Sequence, residues 1–240
     1  MADVVFYVGV HDPHMAAFLP RVCLSIKRIA RRKRSPIPGN EILVDSGAFS
    51  ELALHGAYRD SSADYAEQLR RAHQLTPNII VAVAQDYMCE PFMLAKTGLT
   101  IAEHQRLTIE RYDELIQEPL PFPIMPVLQG YAPEDYQAHM RAYSERLSEG
   151  MWVGVGSVCK RNARPSEIVA VLSKIKALRP DLRLHGFGVK TTSLLDRDVR
   201  RMLFSADSMA WSFAARREGR DRNGWREAKA FADRIEMAGV

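Results

Sequence analysis

The 240-residue chain is predicted to fold as an α/β protein, a (β/α)8 TIM-type barrel in a single domain. Three observations lead there. Short apolar runs alternate with helical patterns over the whole length, the mark of a parallel sheet. Nearly every apolar run stops on a polar residue or a glycine: VDSGAF at 44–49, VAQD at 83–86, VLQG at 127–130, VGVGS at 153–157, LHGFG at 184–188 and ADSM at 206–209. These ends are spread along the entire chain. A barrel collects strand ends from its full length at one mouth, whereas an open sheet concentrates functional residues at one switch point.

The elements follow in order. Strands are expected over 4–9, 41–45, 78–84, 123–128, 151–156, 182–187 and 204–210, each an apolar run of strand length. An eighth, needed to close the barrel, is expected as a short piece between residues 10 and 40. Helices are expected over 61–75, 100–117, 133–148, 165–178, 192–201 and 222–237. Ser61 and Ser62 before Asp64, Thr100 before Glu103, and Pro165-Ser166-Glu167 are good helix starts. The Pro-containing pieces 36–39 and 119–126 read as tight connections, so one domain is expected over 1–240, with a C-terminal helical region over 218–240.

Bulk composition narrows the function. Apolar residues form 47% of the chain, enough for a sizeable core, yet no run of eighteen or more would span a membrane. The start MADVVFYVGV lacks the basic and apolar regions of a signal peptide. Cys23, Cys89 and Cys159 lie far apart, which fits reduced thiols in a cytoplasmic protein (host cytoplasm, if a phage encodes it). The net charge of +4 is modest, but residues 21–34 carry seven Lys or Arg and no acid, and a second basic region covers Arg197 to Arg226. Such a run is either a solvated helix face or the footprint of a polyanion.

Three carboxylates end strands: Asp45, Asp86 and Asp207, with Gln129 in an equivalent place. A lone aspartate there caps a helix or forms a turn. Three that share one mouth push each other's ionisation apart, which suits glycosyl transfer: one carboxylate attacks the anomeric carbon and another handles protons. Metal binding is the competing use, with His11-Asp12-Pro13-His14 as its only hint, and no metal is expected. Glycines at the strand ends let a flat ligand approach the backbone, and no G-x-G-x-x-G or P-loop pattern points to a nucleotide cofactor. Phe49 and His185 are either faces for a planar base or ordinary core residues.

Taken in order, DSGAF (45–49), QD (85–86), VLQGYAPEDY (127–136), VGVGS (153–157), LHGFGVK (184–190) and ADSMAW…AAR (206–216) resemble the tRNA-guanine transglycosylase superfamily over roughly residues 41–217. The basic start and the ending SADSMAWSFAARR are similar to the DNA-acting branch, the DpdA type, which places 7-deazaguanines in phage or bacterial DNA. The resemblance implies a base exchange without cofactor, with DNA and a 7-deazaguanine such as preQ0 as substrates. Asp207 matches the nucleophile that captures C1′, and Asp45 matches the second catalytic aspartate, used for proton transfer. Asp86, Gln129 and Gly156 match positions that read the base edge, and Ser157 and Gly186 fall in the same base-binding segments. Phe49 and His185 fall where the family stacks on the base, although the tRNA enzymes usually carry methionine at the latter. Arg216 matches a phosphate-contacting arginine. Arg28, Arg31, Arg32, Lys33, Arg34 and Arg217 are expected to join it on nucleic acid.

The tRNA enzymes also carry a C-terminal zinc subdomain with clustered cysteines, and this chain has no cysteine after Cys159. That departure argues against tRNA as substrate. SVCKR at 157–161 replaces the family's apolar loop, which points to a different incoming base. A nucleoside or DNA glycosylase, a tRNA-guanine transglycosylase and a non-catalytic nucleic-acid-binding barrel stand as alternatives, and the oligomeric state is open.

Overall fold

A computed structural model describes residues 4–30, 32, 36–159 and 164–238. All of its strands are parallel: β1 (Val5–Gly9), β2 (Arg21–Ser25), β3 (Glu41–Asp45), β4 (Ile79–Val83), β5 (Ile124–Met125), β6 (Val127–Leu128), β7 (Trp152–Val155), β8 (Arg183–Gly186) and β9 (Ser205–Ser208). Their order around the sheet is β5-β4-β3-β2-β1-β9-β8-β7-β6. The two ends of that order, β5 and β6, are halves of one extended segment interrupted at Pro126, which has no N–H to give a ladder. Met125 O accepts from Ala84 N on one side, and Pro126 O accepts from Gly154 N on the other. Counting the pair as one staff gives eight, and the single α/β domain is a nearly closed barrel.

The strand expected between residues 10 and 40 is β2. It occupies the first part of the basic run, where Val22, Cys23 and Leu24 are buried. The run is therefore not one solvated face. Arg21 sits at the amino-terminal end of β2 and pairs with Glu236 at 2.7 Å, away from the strand ends that carry the carboxylates.

Eleven helices among the described residues surround the strands: α1 (Ile26–Ile29), α2 (Ala48–His55), α3 (Ser62–Leu75), α4 (Pro91–Thr97), α5 (Ile101–Ile116), α6 (Pro133–Tyr143), α7 (Pro165–Leu178), α8 (Thr191–Leu194), α9 (Arg197–Met202), α10 (Ala210–Arg217) and α11 (Trp225–Met237). Capping boxes start α3 (Ser61 with Asp64) and α5 (Thr100 with Glu103), satisfying amide groups that the first turn leaves open. At α6 the Asp135 carboxylate accepts from the N–H groups of Tyr131 and Ala132. Four helices lie outside the sequence expectation: α1, a single turn directly at the end of β2, and α2, α4 and α10. The last three each follow a strand-end loop, where apolar residues face the mouth and blur the amphipathic period.

Strand alternation divides the core into two layers. Phe6, Val8, Val22, Leu24, Ile42, Val44 and Ala82 face outward and pack against the helices. Tyr7, Cys23, Leu43, Val81, Val83, Met125 and Val127 fill the lumen. The pleat, with its period of two, thus decides which strand-end residues open into the mouth.

Candidate active site

A cavity of about 800 Å³ opens at the carboxyl ends of the strands. Asp45, Asp86, Gln129, Gly156 and Asp207 all line it, and so do Phe49 and Ser157. Asp45 and Asp207 both belong to the inward-facing set: Asp207 pairs with Tyr7, and Asp45 pairs with Ser25, which neighbours the inward Cys23 by two residues. Two strands, β1 and β2, separate them, so their backbones lie roughly 14 Å apart along the curved wall. The side chains converge across the lumen closely enough that the Asp207 charge acts on the Asp45 carboxyl.

The Asp207 carboxylate is held at one oxygen. Gly188 N donates to Oδ1 at 3.0 Å, and His185 Nε2 lies 3.4 Å from the same atom. Asp45 Oδ2 accepts from Gly47 N at 3.0 Å. Gly47 is left-handed, with φ 76°, as the turn from β3 into α2 requires. Burial in the mouth, reinforced by the Asp207 charge, raises the Asp45 carboxyl to about 6 despite the hydrogen bonds from Gly47 and Ser25.

Asp86 lies deeper. Burial pushes its carboxyl to about 7, resisted by the Gln129 hydrogen bond and aided by the charges of Asp45 and Glu90. Ser46 Oγ donates to Asp86 Oδ1, and Gln129 Nε2 donates to Oδ2 through a very short contact. Ser157 Oγ accepts from Cys89 N at 3.2 Å and donates to Gln129 Oε1 at 2.8 Å. The Gln129 amide is thereby locked in one orientation, its NH2 toward Asp86. Its backbone is anchored too, since Gln129 N donates to His139 Nδ1 at 2.8 Å and Gln105 Nε2 donates to Gln129 O at 2.8 Å. Burial holds His139 down at about 3, so its Nδ1 stays a lone-pair acceptor. Gly156 leaves room for this arrangement: a Cβ there would overlap the Gln129 side-chain amide.

The remaining predicted residues are placed less uniformly. Phe49 stands on α2 at the rim, half exposed, 6.2 Å from the ring of Phe92. His185 does not reach the cavity. It is fully buried at the level of Ser205, one layer below Asp207, and Phe187, two residues on, supplies the aromatic wall instead. Gly186 points outward, where a Cβ would meet Val189 and Leu203, and it does not line the cavity. Arg28 lines the cavity and also an adjoining hollow of about 510 Å³, shared with His11, Arg216 and Arg222. Arg217 is exposed and outside both. Arg32 lies against His14, 2.7 Å away, and Asp12, likewise outside both. Arg31, Lys33 and Arg34 fall outside the described residues.

A family model described as DpdA, DeoxyPurine in DNA protein A, matches residues 2–225. The chain belongs to the DpdA family. That match covers every strand of the barrel and every residue named above as lining the mouth. No curated protein matches the chain.

Sequence reasoning missed several groups here. Ser25, Ser46 and Phe187 touch or face the carboxylates, whereas Arg222, which completes the hollow, belongs to the second basic region of the sequence. Inward parity could have identified Ser25, two residues after Cys23. Nothing local to the sequence marks Ser46.

Proposed function

We propose that this protein is a DNA-guanine transglycosylase that exchanges a guanine in DNA for a 7-deazaguanine such as preQ0, through a covalent ester between Asp207 and the sugar. The observation that carries this reading is the pair Asp45 and Asp207 in one cavity, with the locked Asp86–Gln129 pair beside them. Guanine presents adjacent N–H donors on its pairing edge, which a carboxylate can accept, while adenine offers a lone pair at the same place. Asp86 suits that contact, because a ligand with two donors replaces the solvation that burial removed.

The target nucleotide leaves the base stack to enter the mouth, at a cost of a few kcal/mol, approximately. Arg28, Arg216 and Arg222 offset it by holding backbone phosphates; none of the three has an acidic partner among the described residues. A carboxylate oxygen of Asp207 then bonds C1′ as the C1′–N bond to guanine breaks, the bonding pair leaving with the base. Asp45 gives a proton to the departing guanine, and its carboxyl, raised to about 6, sits near the operating pH, where it can both give and take one. The 7-deazaguanine next loses its ring N–H proton to Asp45 and attacks C1′, and the ester opens to return Asp207. Two inversions retain the anomeric configuration.

The test is nucleoside mass spectrometry of DNA incubated with the protein and preQ0. A 7-deazaguanine nucleoside should accumulate with wild-type protein, and Asp207→Asn should lower its rate by about a thousandfold or more while DNA binding survives. Near wild-type exchange by that variant would overturn the assignment. Release of free guanine without insertion would favour the glycosylase reading instead.

A further inference from the structure

We infer that His185 is a positioning residue for Asp207: a hydrogen-bond relay from Trp152 through Ser205 sets its ring so that Nε2–H holds one carboxylate oxygen and leaves the other to react. The inference rests on the reading of Asp207 as the nucleophile.

The relay has a defined direction. Trp152 Nε1 is a donor only, and it donates to Ser205 Oγ at 2.8 Å. Ser205 Oγ lies 2.9 Å from His185 Nδ1, and His185 Nε2 lies 3.4 Å from Asp207 Oδ1. An ionised carboxylate only accepts, so the last link needs its proton on Nε2. The first link fills an acceptor site of Ser205 and leaves the serine proton for Nδ1. Both ends therefore assign the same tautomer, with the ring proton on Nε2 and the lone pair on Nδ1. His185 and Ser205 are both fully buried, so water cannot substitute for either link. Aromatic neighbours fix the ring plane: Phe187 at 4.7 Å, Trp152 at 6.1 Å and Tyr7 at 6.3 Å between centroids.

The consequence falls on the two oxygens of Asp207. Oδ1 accepts from His185 and from Gly188 N, whereas Oδ2 takes no hydrogen bond from the described residues. Oδ2 is the oxygen that bonds C1′, and Oδ1 becomes the carbonyl oxygen of the ester. When the ester opens, the C1′–Oδ2 electron pair returns to the carboxylate and its charge spreads to Oδ1, where two donors are already aimed. The His185 donor thus favours opening of the ester over its formation, since attack withdraws charge from the same atoms. Removing it should make the covalent intermediate accumulate, an effect that loosened packing would not produce.

Two measurements test this. In denaturing gels of protein mixed with guanine-containing DNA and preQ0, His185→Met should raise the steady-state fraction of protein carrying DNA by about tenfold while slowing turnover, on the scale of one charge-assisted hydrogen bond. His185→Gln should restore wild-type behaviour, because its amide can accept from Ser205 and donate to Asp207 together. Lower adduct in His185→Met, or equal failure of both variants when both are folded by circular dichroism, overturns the inference. Independently of activity, nitrogen-15 histidine spectra of the wild-type protein should show a His185 signal, identified by its loss in His185→Gln, with a protonated Nε2 and an unprotonated Nδ1. A proton on Nδ1 overturns the relay. Absence of any wild-type adduct would instead overturn the transglycosylase reading, with the spectra still deciding the relay.

Discussion

Replacing Asp86 with asparagine should stabilise the protein at pH 8 and leave its stability near pH 4 almost unchanged. The Asp86 carboxyl ordinarily ionises near 3.8, and in the folded protein burial raises it to about 7. Below pH 4 both folded and unfolded chains keep the proton, and the residue is neutral in stability. Between pH 4 and 7 the unfolded chain releases a proton that the folded chain retains. The folded state binds more protons there, so stability falls as pH rises. Above pH 7 the full difference, about 4 kcal/mol, is carried as a penalty. Asparagine has the same shape and does not ionise. Its carbonyl can accept from Gln129 Nε2 and its amide can donate to Ser46 Oγ, the two groups that Asp86 meets now. Urea unfolding followed by circular dichroism at pH 4, 6 and 8 should show the two proteins converging at low pH. The variant should lead by up to about 4 kcal/mol at pH 8. It should also bind guanine poorly, because the carboxylate proposed to accept from the base donors is gone. Parallel pH curves, or a variant less stable than wild type at pH 8, would refute the burial argument and the placement of Asp86 with it.

Combined replacement of Arg28, Arg216 and Arg222 with alanine should reduce the slope of log affinity against log salt on duplex DNA by up to about 2.7, at about 0.9 for each phosphate contact. Fluorescence titration at several salt concentrations measures this, and an unchanged slope would detach the hollow from DNA. Gly156→Ala puts a methyl group where the Gln129 amide sits and should weaken base binding by about tenfold without unfolding the barrel. Isothermal titration with preQ0 checks it, and unchanged affinity would mean that the amide lock is dispensable. Among the described residues no three His, Cys, Asp or Glu side chains are grouped to hold a metal ion. Dialysis against a chelator should leave fold and exchange activity intact, and elemental analysis finding about one zinc per chain would contradict this.

Much of this molecule is legible in its sequence, because strand alternation and strand-end chemistry are local properties. The capping pairs Ser61–Asp64 and Thr100–Glu103 mark two helices within a residue of their ends. The polar ends of six apolar runs announce one mouth, and Asp45, Asp86, Gln129, Gly156 and Asp207 all reach it. β2 was hidden for a physical reason: only three apolar residues stand between Arg21 and Ser25, so the charges around it dominate any average over the window. Depth was hidden as well. Whether His185 or Phe187 meets a base depends on how far β8 is displaced against β9, and that register comes from packing of the whole barrel. The locked amide of Gln129 is likewise a tertiary product. It joins residues 86, 89, 105, 129, 139 and 157, brought together from three separate strand–helix units. Local sequence sets which residue types end a strand. Only closure of the barrel sets which of them share one low-dielectric space, and that sharing raises Asp45 and Asp86 out of the ordinary carboxylate range.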